Sequence, residues 1–329
     1  MARECCWSLI VTTLTIRSPG TGKTVVTVEA IQQLLARDPK SRILACAPSN
    51  SAADLLAERI LQQGQAASAI LRLNGPSRSI RVLPKKLSPC SRIKGDAFVI
   101  PSAPELCTFR VIVATCTSSA NLYNMGVPGG HFTHIFIDEA GQALEPEAMI
   151  PIRTLAKVGT NVILSGDPKQ LGPIVHSEAA DSLGLGVSYL DRLIHRDVYH
   201  SETSMGKMYD ISITLVYILS WFMVFPGNRR IVKLTHNFRN HPAILKYPNE
   251  MFYDGDLQAH ADPTITQSLI KWDHLINPNF PIIFHAISGT LASTIDKFSI
   301  GWLIACLKQA KMTGNLIRHH SSTSWKSRR

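Results

Sequence analysis

The sequence has no Cys-x-x-Cys pair, and this absence argues against a zinc site built on paired cysteines. The seven cysteines are an odd number and are scattered along the chain: Cys5, Cys6, Cys46, Cys90, Cys107, Cys116 and Cys306. They suggest no disulfide framework, so we expect a reducing compartment inside the cell. The histidines lack the carboxylate or cysteine spacing of a metal site, including the pair His319-His320.

Acidic residues are missing from the last part of the chain. Residues 297–329 contain seven basic residues and no acidic ones, while the whole chain of 329 residues has a formal net charge of +10. Without those seven, 27 basic residues face 24 acidic ones. The basic excess is therefore largely a tail, and it does not by itself predict nucleic-acid binding.

Charges are also absent from residues 211–226, which are apolar and end at Pro226. This length is slightly short for a membrane span. We interpret the segment as foreign sequence, such as a translated intron, and keep a transmembrane helix as the alternative. The apolar opening of the chain has no cleavage site, so no secretory signal and no membrane partner are expected.

A phosphate-binding loop is the strongest motif that is present. Gly20-Thr21-Gly22-Lys23-Thr24 follows a β-branched segment, residues 9–16, and precedes a helical pattern over residues 25–36. Strand, glycine-rich loop and helix is the order in which backbone N–H groups hold phosphates. We expect the apolar helix face to consist of Val25, Val28, Ile31, Leu34 and Leu35.

One position of this loop departs from the usual pattern. Arg17 occupies the place of the first glycine of G-x-x-x-x-G-K-[ST]. Arginine is tolerated there if its φ is negative and strained if its φ is positive. A plain strand-turn-helix without phosphate binding is the alternative interpretation.

Two carboxylates follow a second apolar strand, residues 133–137. Asp138 is placed to hold Mg²⁺, and Glu139 to polarise an attacking water. Neighbouring carboxylates repel each other unless a cation lies near them. A helix cap at Asp138 is the alternative.

A third strand is predicted over residues 161–167, and Gln170 lies in the loop beyond it. A neutral amide there is suited to sensing a γ-phosphate or orienting water. The alternative is a turn closed by Asp167.

Further apolar strands at residues 42–47 and 110–114 alternate with helices, one of which is predicted over residues 52–63 with Ser51 as its cap. Residues 75–104 interrupt this alternation and read as an insertion. Uncharged strands separated by helices predict an α/β fold with a parallel sheet covered on both faces. Ligands then bind at the carboxyl ends of the strands, where these motifs fall.

Five motifs in this order resemble those of superfamily 1 RNA helicases of the nonsense-decay-helicase-like group. They are residues 20–24, 47–51, 138–142, 166–170 and 237–242. Residues 131–146 and 280–285 resemble the Armitage / Moloney-leukaemia-virus-resistance subgroup. The likeness extends from about Ser18 to Ser288, with one interruption.

This resemblance implies an ATP-dependent 5′-to-3′ RNA helicase of small-RNA silencing pathways, including the PIWI-interacting RNA branch. It implies a RecA-like P-loop NTPase sheet with a partial second RecA-like domain. The expected ligands are ATP, Mg²⁺ and RNA, and the expected protein partners are PIWI or Argonaute proteins. Cytoplasmic localisation, including ribonucleoprotein granules, follows from the same resemblance.

The resemblance also implies residue roles. Phosphate binding is expected of Gly20, Thr21, Gly22, Lys23 and Thr24. Metal binding is expected of Thr24 and Asp138, and a catalytic role of Glu139, Gln170 and Arg239. The residues expected to line an RNA groove are Pro48, Ser49, Asn50 and Thr115.

We expect a first RecA-like domain over residues 1–200, an atypical apolar insertion over 201–230, the start of a second RecA-like domain over 231–290 and a basic tail over 291–329. A helicase lacking part of its second motor domain is expected to bind nucleotide and to be catalytically impaired. The alternative is a truncated isoform that binds RNA or a partner without catalysis.

Overall fold

Short apolar segments form one parallel sheet in the computed structural model, which describes residues 11–17, 20–196, 199, 230–268, 270–273 and 275–282. Its strands are β1 (Val11–Arg17), β2 (Ile43–Ala47), β3 (Ile70–Arg72), β6 (Val111–Thr115), β7 (His134–Asp138), β8 (Asn161–Gly166) and β9 (Arg230–Leu234). Their order is β3-β6-β2-β7-β8-β1-β9, and every pairing is parallel. A separate antiparallel pair consists of β4 (Ile93–Lys94) and β5 (Ala97–Phe98).

Helices connect these strands. They are α1 (Lys23–Arg37), α2 (Asn50–Gln62), α3 (Ala103–Leu106), α4 (Ala120–Asn124), α5 (Glu145–Leu155), α6 (Glu178–Ser182) and α7 (Tyr189–Ile194). Short 3₁₀ helices lie at Ala67–Ala69, Ile80–Val82, Lys85–Cys90 and Ala140–Gln142.

The sheet is buried on both faces, which explains why its strands carry so few charges. In β7, Ile135 and Ile137 pack into one apolar cluster, while Phe136 between them packs into another. The first cluster includes side chains of α5 and α7, and the second includes side chains of α1 and α2. The predicted α/β class with a helix-covered parallel sheet is confirmed.

Helix α1 differs from its predicted apolar face at one residue. Val25 is 53% exposed, whereas the neighbouring Val26 is buried. The other predicted positions are buried, namely Val28, Ile31, Leu34 and Leu35. The buried positions pack with strand residues in the second apolar cluster, and Val25 lies outside that stripe.

The predicted cap of α2 was also wrong by two residues. Ser49, not Ser51, has extended backbone geometry, and its hydroxyl accepts a hydrogen bond from the Ala52 N–H at 3.2 Å. Helix α2 therefore begins at Asn50, with only Pro48 and Ser49 between it and the end of β2. Ser51 lies in the first turn, where its hydroxyl is 3.0 Å from that of Ser49.

Residues 75–104, predicted as an insertion, contribute to the core. Leu87, Cys90 and Phe98 are buried in the cluster formed by α1 and α2. The surrounding backbone consists mainly of 3₁₀ helices and the β4–β5 pair. Whether the segment is an insertion stays a prediction.

The chain divides into two compact units, residues 1–235 and 236–329. We predicted that a second domain starts at residue 231, but β9 pairs with β1 in the sheet of the first unit. The other domain bounds stay predictions, because residues 201–229 and 283–329 lie outside the described ranges. Within those ranges, no helix has the length and apolar character that crossing a bilayer requires.

The second unit is described by its own small elements. A parallel pair joins β10 (His236–Asn237) to β11 (Gln258–Ala259). Helix α8 (Pro242–Phe252) lies between these strands in sequence, and α9 (Pro263–Thr266) follows β11. The Asn249 side chain links α8 to the segment before β11. Its amide donates to the Leu257 carbonyl at 2.9 Å, and its oxygen accepts from the Leu257 N–H at 2.8 Å.

A neutral histidine is buried at the start of β7. The Thr133 hydroxyl donates its only proton to the Arg42 carbonyl at 3.0 Å. The same hydroxyl lies 2.9 Å from His134 Nδ1, so in this contact Nδ1 carries the proton and donates it to the hydroxyl oxygen. The Asn161 amide donates to Nε2 at 3.3 Å. Burial lowers the pKa of His134 to about 4, and the charge of Asp38 opposes this shift.

We predict that His134→Gln flattens the pH dependence of folding between pH 6.5 and pH 4. The unfolded chain takes up a proton near pH 6.5, whereas the folded imidazole resists it until about pH 4. The stabilisation by the neutral ring is therefore complete above pH 6.5 and decreases as pH falls. Urea unfolding at pH 7 and pH 4 should show that the wild type loses about 3 kcal/mol more than the variant. Equal losses in the two proteins would contradict the buried neutral histidine.

Candidate nucleotide and nucleic-acid site

The loop after β1 has the backbone shape that a phosphate site needs. Gly20 and Gly22 have φ angles of 83° and 80°, in the left-handed region that favours glycine. Gly22 caps α1, and no side chain caps that end of the helix. The first-turn N–H groups of a 15-residue helix thus meet no capping side chain at the point where an anion would bind.

Arg17 is compatible with this geometry. It is the last residue of β1 and pairs in register with Leu234, so its backbone is extended. The left-handed conformations occur at Gly20 and Gly22, where they cause no strain because glycine has no side chain. Of the predicted loop, Ser18 and Pro19 lie outside the described residues.

The two motifs that the sequence separates meet in the structure. Lys23 Nζ donates to Glu139 Oε2 at 3.1 Å, although 116 positions separate these residues. The two side chains are 12% and 23% exposed, so the pair is largely shielded from solvent. Sheet order explains the meeting, because β1 and β7 flank β8 and all three strands end at the same edge.

Asp138 is buried at the end of β7, and one of its carboxylate oxygens is fixed. The Ser165 hydroxyl donates to Asp138 Oδ1 at 2.9 Å, and these residues are register partners between β7 and β8. In the described part of the chain, Oδ2 receives no hydrogen bond. Sequence reasoning missed Ser165, and the signal that could have found it is a hydroxyl at the end of the neighbouring strand.

These oxygens fit Mg²⁺, the metal that the sequence motifs imply. Asp138 offers its second carboxylate oxygen, Oδ2, and Thr24 supplies a hydroxyl in the first turn of α1, beside Lys23. Hard oxygen ligands of this kind, completed by waters and phosphates, are those that Mg²⁺ prefers. Among the described residues, no cluster of three or more His, Cys, Asp and Glu side chains offers an all-protein metal cage.

The backbone of Glu139 is strained. Its φ of 54° is left-handed, which is uncommon for a residue other than glycine, asparagine or aspartate. Strained backbone conformations of this kind cluster at functional sites. Here the strain occurs at the residue whose carboxylate reaches Lys23.

Two glycines bring the loops after β7 and β8 into contact. A Cβ on Gly141 would lie 2.7 Å from the Asp167 carbonyl oxygen. A Cβ on Gly166 would lie 2.6 Å from Leu190 and 2.7 Å from the Gly141 nitrogen. The two loops can approach this closely only because glycine has no side chain.

Gln170 is held by the loop after β8. Its amide donates to Asp167 Oδ2 at 2.7 Å, and the Lys169 N–H donates to Oδ1 at 2.9 Å. Asp167 therefore closes the turn, as the alternative interpretation proposed, and it also fixes the Gln170 amide. The sensor role of Gln170 stays a prediction.

The residues assigned to an RNA groove lie at the same edge of the sheet, beside the nucleotide motifs. Thr115 ends β6 and is the register partner of Ala47, which precedes Pro48. Ser49 and Asn50 follow at the start of α2 and are exposed. The Thr115 hydroxyl is 2.8 Å from that of Ser118, which ties it to the loop after β6. These four predicted residues are thus brought together, and their role stays a prediction.

Arg239, the third predicted catalytic residue, lies in the second unit. It is exposed, and its backbone N–H donates to Asn237 Oδ1 at 3.0 Å. The Asn240 N–H donates to the same oxygen at 2.8 Å, so Asn237 shapes the turn that carries the arginine. The catalytic role of Arg239 stays a prediction.

Two models of AAA domains match this chain, one over residues 8–94 and 103–178 and the other over residues 220–313. The chain is 41% identical over 273 residues to "Putative helicase mov-10-B.1" of Danio rerio, covering 82% of this chain and 25% of the relative. It is 40% identical over 276 residues to "RNA helicase Mov10l1" of Homo sapiens, covering 83% and 21%.

A more distant relative is "Probable RNA helicase armi" of Drosophila melanogaster, 33% identical over 261 residues, with coverage of 73% of this chain and 20% of the relative. A solved structure of an arterivirus nonstructural protein 10 helicase with DNA aligns with a TM-score of 0.40 at 12% identity, over 78% of this chain and 42% of that one. The chain spans about a quarter of the length of the first relatives.

We predict that Gly141→Ala destabilises the fold by about 1–3 kcal/mol, because the new methyl group collides with the Asp167 backbone. Gly75→Ala is the matched control, since a Cβ there would meet only the Ser118 hydroxyl at 3.6 Å, an ordinary contact. Urea unfolding midpoints measure the difference. Equal midpoints for the two variants would show that the loops after β7 and β8 do not approach as closely as described.

Proposed function

This chain belongs to the family of AAA-domain helicases that includes MOV-10 and Mov10l1, and from that membership we propose that it binds ATP with Mg²⁺ and couples its hydrolysis to remodelling of RNA. The predicted resemblance to this family is confirmed. Because the chain spans about a quarter of its relatives, its activity, substrate and partners are proposals.

The contact between Lys23 and Glu139 carries the proposal. A lysine at the start of a helix and a carboxylate pair at the end of a strand at the same sheet edge are the two charged groups that phosphoryl transfer requires. Without nucleotide, Lys23 satisfies its charge on Glu139. A bound triphosphate would compete for Lys23 and release Glu139 toward the attacking water.

Each remaining residue at the sheet edge has a proposed role. The N–H groups after Gly20 and Gly22 hold phosphate oxygens, and the family's Mg²⁺ supplies charge neutralisation when bound by Thr24 and Asp138. Ser165 keeps the Asp138 carboxylate oriented. Gln170, fixed on Asp167, senses the γ-phosphate.

RNA is the proposed nucleic-acid partner, because two of the relatives are named as RNA helicases. The proposed contact residues Pro48, Ser49, Asn50 and Thr115 lie beside the nucleotide motifs, so nucleotide binding and RNA binding share one sheet edge. We further propose a role in small-RNA silencing, with PIWI or Argonaute proteins as partners, in the cytoplasm or its ribonucleoprotein granules.

We propose that hydrolysis by this chain is slow, since catalysis in such motors depends on groups from both motor domains. The residues proposed to bind phosphate and Mg²⁺ all lie in the first unit. The two properties are therefore separable in measurement.

We predict that Lys23→Ala abolishes binding of a fluorescent ATP analogue, because it removes the cation that meets the phosphates. Glu139→Gln should retain binding, while any RNA-stimulated phosphate release falls by roughly 10²–10⁴-fold, the usual contribution of a general base. Lys40→Ala is the matched control, because this exposed lysine follows α1 at the opposite edge of the sheet.

Nucleotide binding by Lys23→Ala at wild-type strength would contradict the site. RNA binding by the wild type, Lys23→Ala and Glu139→Gln alike, without phosphate release from any of them, would instead favour the non-catalytic RNA-binding alternative.

A further inference from the structure

A fully buried arginine lies beneath the start of α2. Arg72 ends β3, has 0% exposure and donates three hydrogen bonds. Its Nε donates to Asp54 Oδ1 at 2.8 Å, its Nη1 to the Leu73 carbonyl at 2.7 Å and its Nη2 to Asn50 Oδ1 at 2.9 Å. Every branch of the guanidinium therefore has a fixed partner.

A second arginine completes this network. Arg78 meets Asp54 with two bonds, Nη1 to Oδ1 at 2.9 Å and Nη2 to Oδ2 at 2.5 Å. Its Nη1 also donates to Asn74 Oδ1 at 2.7 Å. Asp54 is thus saturated by two guanidinium groups and cannot rotate away from Arg72 without breaking a bidentate pair.

Stability alone does not account for so much buried charge. Replacing a buried ion pair by apolar side chains of similar volume is often neutral or stabilising. A network of this kind is better explained when it holds a particular group in a particular orientation. The member of the network that reaches the surface is Asn50.

The bond from Arg72 decides which way the Asn50 amide faces. A guanidinium only donates, so it selects the amide oxygen of Asn50 and turns the NH₂ group away. Asn50 is exposed, and no acceptor in the described part of the chain contacts its Nδ2. Two N–H donors are therefore presented at the edge that also carries Ser49 and Thr115.

We propose that Arg72 is a positioning residue for RNA binding, which orients the Asn50 amide so that its N–H groups meet the acceptor oxygens of the RNA backbone. Phosphate and sugar oxygens are acceptors, and contacts to them fix the register of a nucleic acid rather than its sequence. This inference rests on the proposed RNA binding. In this inference, Asp54 and Arg78 hold the Arg72 guanidinium in place, and Arg72 in turn orients the Asn50 amide.

The test compares variants of the full chain in binding to a fluorescent oligouridylate, with affinity for an ATP analogue measured in parallel. Asn50→Asp keeps an acceptor for Arg72 but removes both donors and adds a negative charge. Its matched control is Gln62→Glu, the same amide-to-acid change at the exposed far end of α2. Arg72→Met and Asn50→Ala, alone and combined, form a double-mutant cycle.

We expect Asn50→Asp to weaken RNA binding by about tenfold or more, the scale of one lost charge-assisted hydrogen bond, with unchanged nucleotide affinity and thermal stability. Gln62→Glu should bind RNA like the wild type. Arg72→Met should weaken RNA binding in the wild-type background and have no further effect in the Asn50→Ala background, because a residue that acts through Asn50 loses its influence without it.

Wild-type RNA affinity in Asn50→Asp would overturn the inference, as would an Arg72→Met effect of the same size in both backgrounds. If Arg72→Met does not fold, the comparison of Asn50→Asp with Gln62→Glu decides the question. Absence of RNA binding by the wild type would refute the proposed function and this inference together, whereas wild-type binding with no effect at Asn50 would refute this inference alone.

Discussion

The ion pair between Lys23 and Glu139 depends on a constraint of parallel sheets: strands that run the same way end at the same edge. The sequence places these residues far apart, and the order β7-β8-β1 brings them to 3.1 Å. The partly shielded location strengthens their attraction relative to water. Everything proposed about nucleotide binding requires this meeting of a cation with a carboxylate pair.

Around this ion pair, side chains are held in fixed orientations, and the backbone is strained at Glu139. Glu139 has left-handed backbone geometry, and Gly141 and Gly166 allow two loops to approach more closely than side chains permit. Ser165 and Asp167 then fix the orientation of groups that would otherwise rotate. Such preorganisation is useful where charge must be stabilised without reorganisation during a reaction. The apolar clusters on both faces of the sheet supply the stability that offsets this strain.

Sequence patterns predicted the parts of the structure that depend on local chemistry. The glycine-rich loop, the strand before Asp138 and the parallel sheet follow from glycine positions, uncharged apolar runs and their alternation with helices. The errors occurred where tertiary contacts decide. Ser49 and Ser51 are equally good caps by composition, and only the end of β2 selects Ser49. The pairing of β9 with β1 is a long-range contact that no local pattern specifies.

The buried Arg72 network was invisible to sequence reasoning for a similar reason. An arginine at the end of a short strand reads as a surface residue, and its partners Asp54 and Arg78 come from a helix and a loop. Burial of the guanidinium lowers the pKa of Arg72, while the charge of Asp54 opposes that shift and keeps the cation in place. In the proposed function, charged residues thus serve two parts of one sheet edge, with Lys23 and Glu139 at the nucleotide and Arg72 behind the proposed RNA contacts.

The most direct test of the account is the Mg²⁺ dependence of ATP-analogue binding, measured by calorimetry in the wild type and in Asp138→Asn. If the amides and Lys23 of the phosphate loop and the Asp138 carboxylate act on one ligand, Mg²⁺ should tighten wild-type binding by about tenfold or more and should have little effect in the variant. The same Mg²⁺ effect in both proteins would show that Asp138 and Lys23 do not share a ligand, and would contradict the central claim.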